Sequence, residues 1–376
     1  MDPMEIKQEA LFTKHLFRKA TAHGLPLSGT FELSPVCNFS CPMCYVRRTP
    51  ADVRASARPI LTNKDWLKTA LEAREAGTLY LLLTGGEPFL VPGFRELYCE
   101  LIKLGFILTV NTNGSMIDET CAEWLAKLPP VRLNITMYGA SDETYNNMCR
   151  AKDGFAKFDK AVNLLKKAGV PVKLNCSLTP VNAGDLETMI NYAAERELII
   201  EVNTYMFPPV RRDAADTAEY RRFTPAEAAG YHLERYRLQY GEERYKIFLG
   251  ELIDGICGLP APDEYCTDPV DGKLSCRAGR AAYWITWDGL MTPCGMMSEP
   301  AVDIRQQSFA AAWEKLKAET ESLRLSGVCK RCKNHGICHS CAAMAAAETG
   351  DLGGVPAYLC EMTSEMKRLA AEALSE

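Results

Sequence analysis

Cysteine is the residue type that most constrains what this chain can become. The 376-residue sequence contains 16 cysteines, and twelve of them fall into two groups. One group is a tight run at Cys37, Cys41 and Cys44. The other occupies the last third of the chain: Cys257, Cys266, Cys276, Cys294, Cys329, Cys332, Cys338, Cys341 and Cys360. In a long chain without an apolar export signal, such groups favour metal binding over disulfides. The four isolated residues are predicted to be small buried hydrophobes: Cys99, Cys121, Cys149 and Cys176.

Composition and charge exclude several other classes of protein. Hydrophobic residues make up 47% and charged residues 24%, as in ordinary globular proteins. The formal net charge is −5, and no basic block is present, so we expect no nucleic-acid partner. No apolar run approaches the roughly 18 residues of a membrane span. We therefore expect a soluble, cytoplasmic protein without a membrane partner.

Short apolar segments alternate with amphipathic ones between residues 29 and 205. Six predicted strands alternate with helices, which indicates a parallel sheet with right-handed crossovers. One example is the helix predicted from Thr62, its N-cap, to Gly77 just past its end. An open doubly wound sheet and a partial barrel both fit this α/β pattern. Two further helices are predicted, over residues 225–245 and 360–374.

The first cysteine group has the spacing Cys37-x3-Cys41-x2-Cys44 and follows the first predicted strand. Three thiolates in one short loop can hold three irons of a cubane and leave the fourth iron open to a ligand. A zinc loop is the alternative, but structural zinc usually takes four protein ligands.

This loop resembles the signature of the radical S-adenosylmethionine (SAM) superfamily. A second match, Thr84-Gly85-Gly86-Glu87-Pro88, follows the next strand and is similar to the family's turn for the SAM amino group. The resemblance implies that SAM contacts these residues: Gly85, Gly86, Glu87, Pro88, Asn113, Thr136 and, at its carboxylate, Arg150. Asn111 could line the ribose side. Met43 stands where the family often has an aromatic residue, with Tyr45 following.

The C-terminal cysteines resemble the seven-cysteine SPASM extension of radical SAM enzymes that modify peptides and proteins. The resemblance assigns Cys276, Cys294 and Cys341 to one auxiliary [4Fe–4S] cluster, with Cys266 as fourth ligand and Cys257 in reserve. It assigns four residues to a second cluster: Cys329, Cys332, Cys338 and Cys360. With the SAM-binding cluster, three [4Fe–4S] clusters are expected. Nearby His335 and His339 leave a pair of zinc sites as an alternative.

The resemblance implies a partial (β/α)6 TIM-like barrel followed by a small cysteine-rich Fe–S domain. The predicted division is an N-terminal extension at 1–28, the barrel at 29–210, a helical bridge at 211–255 and the SPASM domain at 256–376, closed by a C-terminal helix. In a parallel barrel, function gathers at the carboxyl ends of the strands. The cysteine loop and the glycine turn both lie there.

The resemblance also implies the chemistry: reductive cleavage of SAM to a 5′-deoxyadenosyl radical, and hydrogen abstraction from a peptide side chain or backbone. The expected product is a thioether or carbon–carbon crosslink in a ribosomal peptide. The expected partners are a peptide or protein substrate and a flavodoxin- or ferredoxin-type electron donor. Two alternatives stay open for recognition: a separate leader-peptide-binding protein, or direct binding of the substrate. Three alternatives stay open: sulfatase-maturing oxidation of Ser or Cys, a small-molecule reaction, and a non-catalytic Fe–S or zinc protein.

One position favours crosslinking over sulfatase-type oxidation. In the sulfatase-maturing branch, an acidic base follows the cysteine at the position of Cys294. This chain has Gly295 there, which cannot take a proton. The sequence identifies no other general base.

Overall fold

A computed structural model describes residues 3–211, 221–255, 274 and 276–375. Its centre is a nine-stranded sheet ordered β6-β5-β4-β3-β2-β1-β7-β8-β9. The strands are β1 (Ser28–Glu32), β2 (Tyr80–Thr84), β3 (Ile107–Thr112), β4 (Arg132–Thr136), β5 (Val172–Ser177), β6 (Ile200–Asn203), β7 (Ala282–Ile285), β8 (Leu290–Thr292) and β9 (Val302–Asp303). All neighbours from β6 to β7 pair in parallel, and β7, β8 and β9 pair antiparallel.

Helices follow the parallel strands along the chain and flank the sheet. They are α1 (Pro3–His23), α2 (Pro50–Ala55), α3 (Asn63–Glu75), α4 (Phe94–Lys103), α5 (Glu119–Lys127), α6 (Asp142–Cys149), α7 (Gly154–Lys167), α8 (Leu186–Glu195), α9 (Pro225–Asp254), α10 (Phe309–Ser322), α11 (Gly327–Lys330), α12 (His335–Cys338), α13 (Ala342–Thr349) and α14 (Ala357–Ser375). Short 3₁₀ turns lie at Pro88–Leu90 and Ala183–Asp185.

The predicted alternation of strands and helices is confirmed for the barrel. Strands β1 to β6 form an unclosed parallel sheet in which each strand pairs with the next one along the chain. This order fits the partial barrel, because a doubly wound sheet reverses its strand order at a switch point. Side chains such as Leu81, Val110 and Ile135 are fully buried in the barrel sheet, as expected where helices cover the sheet. The N-cap prediction is also confirmed, because Thr62 forms a reciprocal capping box with Asp65 at the start of α3.

The cysteine-rich part continues the barrel sheet, which the sequence did not predict. Strand β7 pairs in parallel with β1, with Phe31 opposite Ile285. The pairing depends on Gly29, since a Cβ there would lie 2.3 Å from the Tyr283 hydroxyl. That hydroxyl lies 3.1 Å from Thr78 Oγ1, so a buried polar contact fixes the junction.

Two long helices pack against each other beside the barrel. Helix α9 runs nine residues beyond its predicted end and contains a non-helical residue, Gly241. Its Tyr236 and Phe248 rings stack 3.8 Å apart, in a cluster that includes Ala370 of α14. Helix α1 was not predicted within the N-terminal extension. No helix in the described ranges has the length and hydropathy needed to cross a membrane.

Candidate active site at the carboxyl edge of the barrel

The carboxyl ends of β1 to β4 meet at one cavity of about 230 Å³, here called the strand-end cavity. Most of the residues predicted to hold the first cluster and SAM line it. They are Cys37, Cys41 and Cys44 after β1, Gly85 and Gly86 after β2, Asn111 and Asn113 at the end of β3, and Thr136 at the end of β4. The parallel topology thus brings together segments that are far apart in sequence.

The glycine turn approaches the cysteine loop closely enough to exclude any side chain. The amide of Gly86 donates to the Ser34 carbonyl at 2.6 Å, and the amide of Glu87 donates to the Val36 carbonyl at 3.0 Å. A Cβ on Gly86 would lie 2.2 Å from the Val36 oxygen, and one on Gly85 would lie 2.5 Å from the Ser34 oxygen. Both glycines are therefore required for backbone contact with the loop that carries the thiols.

The Glu87 carboxylate is fully buried and hydrogen-bonded within the protein. It accepts from Thr112 Oγ1 at 2.7 Å, from the Asn113 amide at 2.8 Å and from the Phe89 amide at 3.1 Å. Burial raises the pKa of this carboxyl to about 7, although these hydrogen bonds act to lower it. Neither Glu87 nor buried Pro88 lines the strand-end cavity. In this structure, Glu87 therefore fixes the glycine turn to the end of β3.

The three thiols of the cysteine loop are partly or fully buried and receive polar contacts. The Phe39 amide donates to Cys37 Sγ at 3.3 Å, and the Arg47 amide donates to Cys44 Sγ at 3.3 Å. Burial raises the pKa of Cys37 to about 12, and a contact with the Cys149 thiol raises that of Cys41. Because buried thiols do not ionise readily, a bound cation is what would make them thiolates. Three such sulfurs beside an open cavity fit an iron–sulfur cubane with one free iron.

Arg150 lies apart from the other residues predicted to contact SAM. It caps α6 in the left-handed conformation, with φ of 55°. It lines a neighbouring cavity of about 300 Å³ together with Arg221. Met43 lines both this cavity and the strand-end cavity and separates them.

Electrostatic contacts among the C-terminal cysteines fall into two sets. Charges on Cys276 and Cys341 act on Cys294, whose pKa burial raises to about 11. Charges on Cys329, Cys332 and Cys338 likewise act on Cys360. Cys332 and Cys360 are exposed, whereas Cys276, Cys294 and Cys341 are partly buried. Cys257 and Cys266, the candidates for the remaining ligand, lie outside the described residues. In the ranges that the structure describes, no three His, Cys, Asp or Glu side chains converge closely enough to hold a single metal ion.

A second cavity of about 380 Å³, here called the apolar chamber, adjoins the strand-end cavity. The two share Met43, Cys44, Tyr45, Ser177 and Met206. The rest of the chamber wall comes from both halves of the chain: Pro42, Asn203, Tyr205, Phe207, Pro208, Pro209, Val210, Met296 and Met344. None of these described lining residues carries a formal charge. Burial raises the pKa of the Tyr45 and Tyr205 phenols far above neutrality, so both stay protonated.

The sequence did not point to several residues of the site. Tyr138 lines the strand-end cavity and contacts the Cys41 thiol. Cys149 is buried, as predicted, but it also contacts Cys41. Cys121 and Cys176 are buried too, whereas Cys99 is only partly so. Met296 and Met344 follow Cys294 and Cys341 closely in sequence, which is the one local signal that could have identified them.

Two family models match the chain in the regions that these features define. The radical SAM superfamily model matches residues 31–193, and the SPASM iron–sulfur cluster-binding domain model matches residues 276–342. The chain therefore belongs to the radical SAM enzymes that carry a C-terminal SPASM domain.

The similar proteins include a heme synthase, a maturation protein and a peptide cyclase. The chain is 25% identical over 344 residues to the AdoMet-dependent heme synthase of Methanosarcina barkeri, covering 85% of this chain and 92% of that protein. It is 26% identical over 314 residues to the sporulation killing factor maturation protein SkfB of Bacillus subtilis, covering 82% and 69%. It is 28% identical over 193 residues to the PqqA peptide cyclase of Granulibacter bethesdensis, covering 50% of each chain.

Solved structures share the fold at lower identity. AdoMet-bound anSMEcpe superposes with a TM-score of 0.70 at 18% identity, covering 93% of this chain and 98% of that one. SuiB of Streptococcus suis bound to S-adenosylmethionine superposes with a TM-score of 0.62 at 17% identity, covering 96% and 81%. These likenesses establish the shared architecture of barrel and cysteine-rich extension.

Proposed function

We propose that this enzyme is a peptide maturase that uses SAM to remove a hydrogen atom from a peptide and form a thioether or carbon–carbon crosslink. Relatives named as a maturation protein and as a peptide cyclase favour a peptide substrate, and the apolar chamber carries the placement of that substrate. The chamber shares five lining residues with the strand-end cavity, and it is also lined by Met296 and Met344, which closely follow Cys294 and Cys341 in sequence. A substrate side chain bound there would lie between the two predicted cluster sites.

The residues proposed to hold the first cluster are Cys37, Cys41 and Cys44. SAM would occupy the strand-end cavity against Gly85, Gly86, Asn113 and Thr136. When bound, the cluster and SAM supply a 5′-deoxyadenosyl radical that abstracts a substrate hydrogen. The protein's part is to orient these groups and to keep water away from the radical. The mostly apolar chamber wall suits this second task.

The C-terminal cysteines are proposed to hold two auxiliary [4Fe–4S] clusters, which brings the total to three. The first would bind Cys276, Cys294, Cys341 and Cys266, and the second would bind Cys329, Cys332, Cys338 and Cys360. A flavodoxin- or ferredoxin-type protein would donate electrons, and a separate protein would recognise the leader peptide. Two relatives named for peptide chemistry, SkfB and the PqqA peptide cyclase, support a peptide substrate.

A small-molecule reaction is the second candidate. It is favoured by the relative named heme synthase, which the chain matches over 92% of that relative's length. The chamber does not decide between the two candidates, because an apolar wall suits an apolar side chain and a macrocycle equally.

The two candidates separate in one experiment. Anaerobically reconstituted enzyme is incubated with SAM, reductant and either the short peptides encoded beside its gene or a tetrapyrrole precursor of haem. We expect a peptide product lighter by two hydrogens with a non-reducible internal link. Deuterium placed at the attacked carbon should appear in 5′-deoxyadenosine. Conversion of the tetrapyrrole alone would contradict the peptide proposal.

A chamber variant provides the internal control. Met344→Glu puts a charge into the apolar chamber, so it should abolish peptide modification while SAM cleavage without substrate continues. Met116→Glu makes the same change at a residue that is 42% exposed and lines neither cavity. It should leave both reactions unchanged.

A further inference from the structure

Arg47 is fixed beside the third thiol of the cysteine loop. Its amide donates to Cys44 Sγ at 3.3 Å, and its carbonyl accepts from Arg48 Nη1 at 3.2 Å. These two contacts set the backbone from which the side chain leaves. Arg47 is partly buried and belongs to the lining of the strand-end cavity.

The Arg47 side chain contains a buried donor without an acceptor. Its Nε is buried and has no hydrogen-bond partner among the described residues. A guanidinium is protonated at every pH that the enzyme meets. Leaving one of its N–H groups buried and unpaired is energetically unfavourable. A ligand with an anionic oxygen would remove this cost.

The charge distribution of the cavity points to the same residue. Eighteen described residues line the strand-end cavity, and Arg47 is the single Lys, Arg or His among them. The buried carboxylate of Glu87, next to the glycine turn, already accepts three hydrogen bonds from the protein. An anionic group entering this cavity therefore meets one permanent positive charge.

Family resemblance assigns the SAM carboxylate to a different arginine. That residue, Arg150, lines the neighbouring cavity with Arg221 and Met43, and none of the three thiols lines that cavity. In the described structure, the arginine that shares a cavity with the three thiols and the glycine turn is Arg47.

We propose that Arg47 binds the carboxylate of SAM. This proposal rests on the proposed function only in placing SAM in the strand-end cavity. The carboxylate is the one anionic group of SAM, and a guanidinium offers it paired N–H donors. Backbone groups of the glycine turn remain for the amino group.

The test measures binding and needs no turnover. Reconstituted holoenzyme is titrated without reductant with S-adenosylhomocysteine and with its decarboxylated analogue, 5′-S-(3-aminopropyl)-5′-thioadenosine. The wild type should prefer the carboxylate-bearing compound. Arg47→Met should lose about tenfold or more in affinity for S-adenosylhomocysteine, as for a charge-assisted hydrogen bond. Its affinity for the analogue should not change.

Arg150→Met is the matched variant and should keep the wild-type preference. Arg47→Lys retains the positive charge but lacks Nε, so it should keep part of the preference for S-adenosylhomocysteine. It serves as the second variant if Arg47→Met loses iron. The proposal is overturned if Arg47→Met and Arg47→Lys keep the full preference, or if Arg150→Met alone removes it. A wild-type holoenzyme that binds neither compound would instead contradict the placement of SAM in this cavity.

Discussion

The Glu32 carboxylate accepts two hydrogen bonds from the Arg211 guanidinium, at 2.8 and 2.9 Å, and Glu32 is completely buried. The same carboxylate accepts from Trp284 Nε1 at 2.9 Å. Arg211 also donates to the Gly295 carbonyl at 3.3 Å, and its own carbonyl accepts from Arg48. This pair thus joins the end of β1, the segment beside the chamber, strand β7 and the loop after Cys294.

Removing the charge of Glu32 should strongly destabilise the protein. Glu32→Gln leaves the buried Arg211 guanidinium without its counter-ion, which typically costs about 3–5 kcal/mol. Urea unfolding of the holoenzyme measures this change. Glu234→Gln is the control, because Glu234 and Arg237 form an exposed pair, with side chains 42% and 39% exposed, worth about 1 kcal/mol at most. Equal losses in the two variants would contradict a structural role for the buried pair.

Gly86→Ala should displace the cysteine loop. The added methyl would lie 2.2 Å from the Val36 oxygen, so the loop must move away from the glycine turn. We expect the variant to lose about four irons per chain, one cubane's content, and to lose SAM cleavage. Gly230→Ala adds a methyl in open space within α9 and should keep all of its iron. Full iron content in Gly86→Ala would show that the close approach is not required.

Local patterns predicted the barrel, and long-range pairing explains most of what they missed. The capping box at Thr62 and the buried apolar run around Leu81 are short-range signals. The pairing of β1 with β7 joins segments about 250 residues apart, and no sequence period encodes such a contact. The contact between Glu32 and Arg211 is hidden for the same reason.

The candidate site divides in a similar way. Cysteine spacing and the Gly85-Gly86 turn depend on local geometry, so the sequence predicted them. The placement of Arg150 in a separate cavity depends on how α6 and the cysteine loop pack together. The role of Arg47 became visible only from the cavity that its neighbours enclose.

Acid should destabilise the protein through His232. Burial and the nearby charges of Arg235 and His339 lower the pKa of this imidazole to about 3. Because the unfolded chain binds a proton near pH 6.5, the stability present above that pH is lost as the pH falls towards 3. Between these two pKa values, the free energy of unfolding should fall by about 1.4 kcal/mol for each pH unit.

A variant pair isolates this effect. Between pH 7.5 and about 5.5, the free energy of unfolding of the wild type should fall by about 1.4 kcal/mol more than that of His232→Phe. The new aromatic ring would pack near Phe248, as the His232 ring does. His15 is exposed, and His15→Phe should follow the wild-type curve. Parallel stability curves for wild type and His232→Phe would refute a neutral imidazole at this position.

The enzyme should not convert Cys or Ser of sulfatase-type peptides to an aldehyde. The residue directly after Cys294 is Gly295, which has no carboxylate, and a side chain there would begin 2.9 Å from the Trp284 ring. The described chamber wall also lacks an ionised base. Mass spectrometry after hydrazine trapping tests this expectation. A trapped product lighter by two hydrogens would show that a base reaches the chamber from elsewhere.

The loss of one thiol from the cysteine loop tests the central claim most directly. Wild-type enzyme, reconstituted anaerobically, should contain about twelve irons per chain in three cubanes and should form 5′-deoxyadenosine from SAM under dithionite. Cys41→Ala should retain about eight irons, held by the C-terminal cysteines, and should form no 5′-deoxyadenosine. Zinc in place of iron, about four irons in the wild type, or undiminished 5′-deoxyadenosine formation by Cys41→Ala would contradict the account.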